Sequence, residues 1–315
     1  MSTAEVLVSF LQVALLLGIA PLVVGLMRRV RARLEGRAGP RISQPWRDLL
    51  KLLSKERIQP EHTSWVFVLA PRVLLASGLL VAGLVPFINT IGVFRDSGDL
   101  FAVVYLLLLG TVFLALAGLD PGTAFGGMGS SREITVAALA EPAALLGIFA
   151  LSVRAGTSSL SGIVDATLAD PRGLASPGTL LALAAIAVVM LAETGRLPID
   201  NPSTHLELTM IHEAMVLEYA GPDLAIAELA SHLRLVIFLG LVVTLFVPWG
   251  IGTSIDPLSV GIGVVAFVAK IAALAVVVVL FELGIAKMRL FRVPELLTGA
   301  FILGFLAVTV SFFLA

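Results

Sequence analysis

Long apolar stretches constrain this sequence more than any other feature, because they recur along almost its whole length. A helix needs roughly 20 residues to cross a hydrocarbon core about 30 Å thick. Eight stretches approach or exceed that length, and all are much longer than the roughly 10-residue strands of a membrane β-barrel. They are Val6–Met27, Val66–Ile91, Phe101–Leu119, Ile134–Ser152, Leu174–Glu193, Leu235–Ile251, Leu258–Glu282 and Val293–Leu314. We therefore predict an all-α fold, a polytopic membrane helix bundle of about eight transmembrane helices.

Composition excludes a soluble protein. Hydrophobic residues make up 58% of the 315 residues and charged residues only 14%, whereas soluble domains are about one quarter charged. A formal net charge of −1 leaves no basic footprint for nucleic acid. The chain contains no Cys, which excludes disulfides and cysteine-ligated zinc or iron–sulfur centres. We therefore expect no cofactor or metal in this chain, and any electron transfer to take place in a partner.

Basic residues predict the orientation of the helices. Of the 21 Lys and Arg residues, sixteen fall in the loops that follow the odd-numbered spans. The positive-inside rule places those loops in the cytoplasm and both termini outside, in the plasma (inner) membrane. The N-terminus lacks the basic segment of a cleaved signal peptide. We treat 1–315 as a single membrane domain with two large cytoplasmic segments, a basic loop at 28–65 and an acidic loop at 193–234.

The basic loop contains a short amphipathic pattern. Ser43 is followed by Pro45 in the first turn of a predicted helix that extends through Glu56. Its apolar residues share one face at helical spacing, and its charged residues occupy the other; the apolar residues are Trp46, Leu49, Leu50 and Leu53. The pattern is typical of a helix at the membrane interface. It suits either an anchor to anionic lipid or a platform for a soluble partner.

The acidic loop predicts a helix from about Ser203 to Tyr219, followed by a second helical stretch that starts at Asp223. The pair His212-Glu213 begins like the zinc motif HExxH, but position 216 is Val, so no metal site is expected. Many apolar residues are interleaved with the acids. Carboxylates in apolar surroundings have raised pKa values and can carry protons.

Three charges fall inside predicted spans: Glu141, Lys270 and Arg72. Each costs roughly 2.5–3.5 kcal/mol at the membrane centre, so each needs a use, and an ion pair between helices is the structural alternative. Pro142 follows Glu141 and removes a helix hydrogen bond. Together with Glu141, a string of acids reaching Glu228 suits a proton relay. The string is Glu141, Glu193, Asp200, Glu207, Glu213, Glu218 and Glu228.

Three segments resemble complex I subunit 1, the quinone-cavity membrane subunit of the NADH-quinone oxidoreductases. The first resembles its first cytoplasmic loop, the second its Gly-Ser-x-Arg turn with a following glutamate, and the third its acidic loop after the fifth span. The first holds Arg33, Arg37, Gly39-Pro40, Gln44-Pro45, Asp48, Lys51 and Lys55-Glu56. The second holds Gly129-Ser130-Ser131-Arg132 and Glu141, and the third holds Arg196, Pro198, Asp200, Pro202, Glu207-Leu208 and Glu218-Tyr219.

Within that superfamily, the wording of three segments is more similar to the membrane anchor of formate hydrogenlyase and other energy-converting nickel–iron hydrogenases. These segments are 202–214, 137–142 and 290–297. The resemblance implies a non-redox subunit that joins a membrane arm to a peripheral hydrogenase. Its implied partners are hydrogenase-type large and small subunits, antiporter-like membrane subunits and lipid, with quinone as a further possibility.

The resemblance also implies roles for individual residues. A contact surface for the peripheral arm would comprise Arg33, Arg37, Gln44, Asp48, Lys51, Lys55, Glu56 and Arg196. A proton pathway would comprise Arg132, Glu141, Glu193, Asp200, Glu207, Glu213, Glu218 and Glu228, to which the buried charge of Lys270 is added. Arg132 would be the cation that holds nearby carboxylates ionised.

Two other hypotheses stay open at this level. The first is the quinone-cavity subunit of a NADH-quinone oxidoreductase. The second, from another class, is a stand-alone secondary transporter with Lys270 and Glu141 in a midplane site. Such transporters usually contain repeated broken helices, and this sequence shows no internal repeat.

Overall fold

The computed structural model describes residues 3–95, 98–200 and 210–314. Apart from two isolated bridges, these residues form helices and their connections. The α-helices are α1 (Thr3–Leu34), α2 (Gln44–Leu53), α3 (Trp65–Leu84), α4 (Leu100–Leu119), α5 (Ala124–Ala155), α6 (Leu160–Ala169), α7 (Pro177–Glu193), α8 (His212–Val216), α9 (Gly221–Phe246), α10 (Pro257–Gly284) and α11 (Val293–Leu314).

The all-α membrane fold predicted from the apolar stretches is confirmed. Seven of the described helices are long and apolar enough to span a membrane: α1, α3, α4, α5, α9, α10 and α11. The remaining predicted span corresponds to α7, which is apolar but has only 17 residues, the lower end of what can cross. The protein is therefore a multi-pass membrane protein.

Local capping explains where several helices begin. A side-chain oxygen just ahead of the first turn accepts a free backbone N–H, which satisfies donors that the helix itself cannot pair. The capping residues are Ser64 for α3, Asp99 for α4, Thr123 for α5 and Ser176 for α7. At the other end of α5, Gly156 adopts a left-handed φ of 68°, which closes the helix.

Helix α9 lies at the centre of the bundle. In its most apolar window 78% of the residues are buried, far more than in the other spanning helices, and it packs against α1, α2, α3, α7 and α10. Because α9 is surrounded, every polar residue on it faces protein or an internal cavity rather than lipid. The polar residues in its first half therefore become candidates for an internal site.

The loops after odd-numbered spans meet at one end of the bundle, and the other loops meet at the opposite end. At the first end, the amide of Ser64 donates to Asp120 Oδ2 at 2.6 Å, and the amide of Met288 donates to the Pro198 carbonyl at 2.9 Å. At the other end, the amide of Thr90 donates to the Gly252 carbonyl at 2.9 Å. The alternation used to predict orientation is therefore present; the assignment of the basic end to the cytoplasm stays a prediction.

Two local predictions were wrong. The segment after Gly129 is not a turn, because α5 begins at Ala124 and continues through Glu141 and Pro142 without interruption. Of the helix predicted over 203–219, residues up to 209 lie outside the described residues, and α8 covers only His212–Val216. The amides of Ile211 and His212 donate to Asp200 Oδ2 at 3.1 and 3.4 Å, a capping interaction that sets the start of α8.

The amphipathic helix α2 is confirmed in the basic loop, although it ends at Leu53 rather than Glu56. Its predicted apolar face is divided between two environments. Leu49 is buried and the Trp46 indole N–H donates to the Gly18 carbonyl of α1 at 3.0 Å, whereas Leu50 is 59% exposed. One side of α2 therefore fixes it against the bundle, and the other is free for lipid or a partner.

We predict that Gly25→Ala destabilises the protein by about 1–3 kcal/mol, as overpacking does elsewhere. A Cβ at this position in α1 would overlap the backbone carbonyl of Ile42, which leads into α2. The measurement is thermal unfolding of the purified protein in detergent.

Gly18→Ala is the matched control. A Cβ at Gly18, in the same helix, would meet nothing within 4 Å, so this variant is expected to unfold at or above the wild-type temperature. Equal stability of the two variants would contradict the proposed close approach of α1 and residue 42.

Candidate functional site

A charged cavity opens at the basic end of the bundle, beside the first half of α9. It has a volume of about 660 Å³, enough for roughly 20 water molecules at about 30 Å³ each. Its acidic lining residues are Glu133, Glu193, Asp200, Glu213, Glu228 and Glu282; its basic ones are Arg28, Arg31, Arg37, Arg196 and Arg234, together with His212 and His232. A space lined by so many ionisable side chains suits water and proton transfer rather than an apolar ligand.

One side of the cavity is closed by an ion-pair bridge on Glu282 of α10. Its carboxylate accepts from Arg31 of α1 at 2.9 Å and lies 3.6 Å from Arg196, in the segment after α7. The Glu282 side chain is only 1% exposed, and burial lowers the pKa of Arg196, partly opposed by Glu282. The next segment of chain is fastened by Lys287, whose ammonium lies 3.5 Å from Asp200 Oδ1.

Glu193, the last residue of α7, lies at a junction. Its carboxylate accepts from Arg234 of α9, and Glu193 lines both the charged cavity and a second, narrow space. Apolar side chains surround that second space, with Glu141 among them. Glu193 therefore connects the cavity with the acid that the sequence places deepest in the membrane.

Glu133 is the cavity residue that sequence analysis missed. It lies on α5, roughly 12 Å along the helix from Glu141 at 1.5 Å per residue, and it lines the cavity. Its position directly after Arg132 assigned it to a loop, because the apolar run starts only at Ile134. An early helix start at the Thr123 cap was the signal that could have identified it.

The structure brings most of the predicted proton-pathway residues together. Those that line the cavity are Glu193, Asp200, Glu213 and Glu228, and Glu141 follows in the narrow space. Arg132 adjoins the cavity wall and donates to the Met210 carbonyl at 3.0 Å. Glu218 is half-buried but outside the lining, and Glu207 lies outside the described residues.

Lys270 lies away from this group. Its ammonium donates to the Val247 carbonyl, at the C-terminal cap of α9, at 2.6 Å. A cation at a helix C-terminus is favourable because free carbonyls and the helix dipole carry negative charge there. Nothing in the described residues connects Lys270 to the acids, so this contact supports a structural role.

Arg72 also has a structural partner. Together with Arg57 it binds the carboxylate of Asp223, whose side chain is 3% exposed, with Arg72 at 3.2 Å. Nearby, the Tyr219 hydroxyl donates to the Phe67 carbonyl at 2.7 Å and the two rings stack 4.1 Å apart; burial raises the pKa of Tyr219. These contacts fasten the basic loop and α3 to the start of α9.

The predicted peripheral-arm residues lie at the same end as the cavity. Arg37 and Arg196 line the cavity itself, and Arg33 donates to the nearby Ala38 carbonyl at 3.1 Å. Gln44 and Asp48 are hydrogen-bonded to each other along α2 at 2.8 Å. The exposed members are Lys51, Lys55 and Glu56. In the part of the chain that the structure describes, no three His, Asp or Glu side chains form a metal-binding group.

Fold and cavity together define a class: a polytopic membrane subunit with an ionisable cavity at one end of its bundle. The chain belongs to the NADH dehydrogenase family, whose sequence model matches residues 6–313. This confirms the resemblance seen in the sequence.

Individual relatives refine the comparison. The chain is 32% identical to formate hydrogenlyase subunit 4 of Escherichia coli over 303 residues, covering 96% of this chain and 97% of that one. It is 34% identical to hydrogenase-4 component C of the same organism, covering 96% and 94%. A membrane subunit of the NADH-quinone oxidoreductase of Thermomicrobium roseum is 31% identical over 76% of each chain.

A solved structure shows the same fold. A chain of the membrane-bound sulfane sulfur reductase, an archaeal respiratory membrane complex, superposes with a TM-score of 0.82 at 20% identity, covering 97% of this chain and 98% of that one. The all-α bundle and the near-complete coverage therefore extend to a relative with low sequence identity.

We predict that His212→Gln makes the protein less sensitive to acid. Burial in the cavity wall lowers the pKa of His212, as does Arg234, while Glu213 and Asp200 oppose the shift. An unfolded His takes up a proton near pH 6.5, but the folded one resists it. Stability is therefore intact above pH 6.5 and falls as the pH drops below it. Thermal unfolding between pH 7.5 and 5.5 tests this.

His62→Asn is the control, because His62 is exposed and its φ of 67° is one that Asn tolerates. We expect the wild type and the His62 variant to lose the same amount of thermal stability on acidification, and His212→Gln to lose less. An equal loss in all three proteins would contradict the assignment.

Proposed function

We propose that this chain is the non-redox membrane subunit of a hydrogenase-type oxidoreductase complex in the plasma membrane. It docks the peripheral hydrogenase module and conducts protons from that junction into the membrane arm. The observation that carries the proposal is the charged cavity and its connection through Glu193 to Glu141. The relatives named as formate hydrogenlyase and hydrogenase-4 subunits cover more of the chain than the quinone-enzyme subunit does.

The proposed proton route begins in the water-sized space of the cavity. Glu213 and Glu228 stand on the wall formed by α8 and α9, and Glu133 and Glu193 on α5 and α7. Carboxyl groups within reach of each other or of a shared water can pass a proton. From Glu193 the route enters the narrow apolar space and reaches Glu141.

The proposed docking surface is the outer side of α2 with the segment after it. Lys51, Lys55 and Glu56 are exposed there, and Leu50 and Leu53 are 59% and 51% exposed. An apolar patch within a basic rim is typical of an interaction site. Peripheral large and small hydrogenase subunits bound there would lie directly over the cavity mouth at Arg37.

Further proposed partners are antiporter-like membrane subunits along the lipid-facing helices, of which α10 and α11 are the least buried at 28% and 22%. A quinone-cavity subunit is the less favoured alternative, because the quinone-enzyme relative covers only 76% of the chain. Ionisable side chains also dominate the cavity, whereas ligand sites of that size are usually mostly apolar.

Removing the carboxyl proton from the route tests the conduction proposal. We expect Glu141→Gln to lower the number of protons translocated per electron by about tenfold or more, as loss of a proton-transfer group does in enzymes. The measurement is acidification by the intact complex reconstituted in proteoliposomes, with hydrogenase activity recorded in parallel.

Glu295→Gln is the matched control, since Glu295 is an exposed acid in the first turn of α11 and outside the cavity. We expect it to leave the ratio unchanged. A wild-type ratio in Glu141→Gln would refute the proposed route.

Charge reversal tests the docking surface. We expect the double variant Lys51→Glu, Lys55→Glu to reduce the peripheral hydrogenase subunits that co-purify with this chain by roughly tenfold, because like charges would then oppose the partner. Arg172→Glu is the control, since Arg172 is exposed at the opposite end of the bundle. Full retention of the soluble subunits by the double variant would argue that α2 serves as a lipid anchor instead.

A further inference from the structure

Arg234 of α9 occupies the wall between the charged cavity and the apolar space of Glu141. Its guanidinium pairs with Glu193 and donates from Nη1 to the Leu107 carbonyl of α4 at 3.4 Å. It also lies 5.8 Å from the centre of the Phe238 ring. The side chain is 11% exposed, and its buried Nε has no acceptor in the described structure.

The partner of Arg234 is the one acid, among the described residues, that lines both spaces. Glu193 is 5% exposed and ends α7, where the chain turns through Thr194 and Gly195 at a left-handed φ of 58°. A carboxyl group at a helix end with such a turn behind it can change direction without disturbing the helix. Geometry therefore makes Glu193 the point of passage and Arg234 its holder.

We propose that Arg234 is a positioning residue that makes Glu193 a gate between the two spaces, an inference that rests on the proposed proton conduction. A proton from cavity water binds the Glu193 carboxylate and breaks the ion pair with Arg234. The neutral carboxyl group turns into the apolar space and passes that proton to the Glu141 carboxylate. Glu193 is then ionised again and returns to Arg234.

Arg234 stays in place during this exchange because its other contacts do not depend on the charge of Glu193. The Leu107 carbonyl, which also accepts from the Thr111 hydroxyl at 3.2 Å, and the Phe238 ring hold the guanidinium. A fixed positive charge at the wall repels hydronium and other free cations. Only a carboxyl-bound proton, which carries no net charge, then crosses.

Two substitutions of Arg234 test the gate in the intact complex, reconstituted in proteoliposomes. We expect Arg234→Gln to assemble and to keep hydrogenase activity, while protons translocated per electron fall by about tenfold or more. Arg234→Lys keeps a cation opposite Glu193 and is expected to stay within about twofold of the wild-type ratio, though it lacks the planar fork. A purely structural role would instead lower complex yield and hydrogenase activity together and leave the ratio unchanged, which would overturn the proposal.

A charge swap separates the ion pair from the gate. The double variant Glu193→Arg, Arg234→Glu preserves an ion pair but moves the proton carrier from the end of α7 to the middle of α9. We expect it to restore the yield of the complex and not the proton ratio. A wild-type ratio in the swapped protein would overturn the gate.

Glu141→Gln distinguishes failure of the gate from failure of the proposed function. If Glu141→Gln lowers the proton ratio and Arg234→Gln does not, the gate alone is overturned and conduction stands. If Glu141→Gln also keeps the wild-type ratio, or if the wild-type complex moves no protons, the conduction proposal falls and the gate falls with it.

Discussion

Charged groups are costly in hydrocarbon, and the way this chain meets that cost organises the rest of the structure. An isolated charge at the membrane centre costs roughly 2.5–3.5 kcal/mol, and backbone groups there must be satisfied within the protein. The described helices answer by surrounding α9 and gathering the ionisable residues along its first half. Arg31 and Arg196 share Glu282, and Arg234 holds Glu193. Pairing of this kind allows a water-accessible cavity to reach into a lipid-embedded bundle.

The spans could be predicted from the sequence because length and apolarity decide what crosses a bilayer. The weakest prediction, the fifth span, proved to be the short helix α7. The start of α5 was missed for a physical reason. Residues 124–133 are rich in Gly and Ser, which are poor helix formers, and α5 also packs against α8. Gly129 permits a close approach there, since a Cβ would lie 2.8 Å from that of Ala214. Such tertiary support is invisible to local propensity.

The acids of the candidate site were also largely identifiable, but their partners were not. Glu193 and Asp200 were singled out as parts of an acidic string, whereas Arg234 and Lys287 pair with them across 41 and 87 positions of sequence. The long-range contact from Asp200 to the amides of 211 and 212 likewise set the start of α8. Sequence patterns indicate which residues need a partner in a membrane; only the packing of the helices decides which partner each receives.

The close seat of Gly221 has a mechanical consequence. A side chain there would overlap the backbone carbonyl of Glu56, and Asp223, two residues later, grips Arg57 and Arg72. The basic loop and the first turn of α9 are thus joined like a lever and its shaft. Any force that a bound protein applies to the loop is delivered to the same helix that carries Glu228, His232 and Arg234, with no slack segment between them.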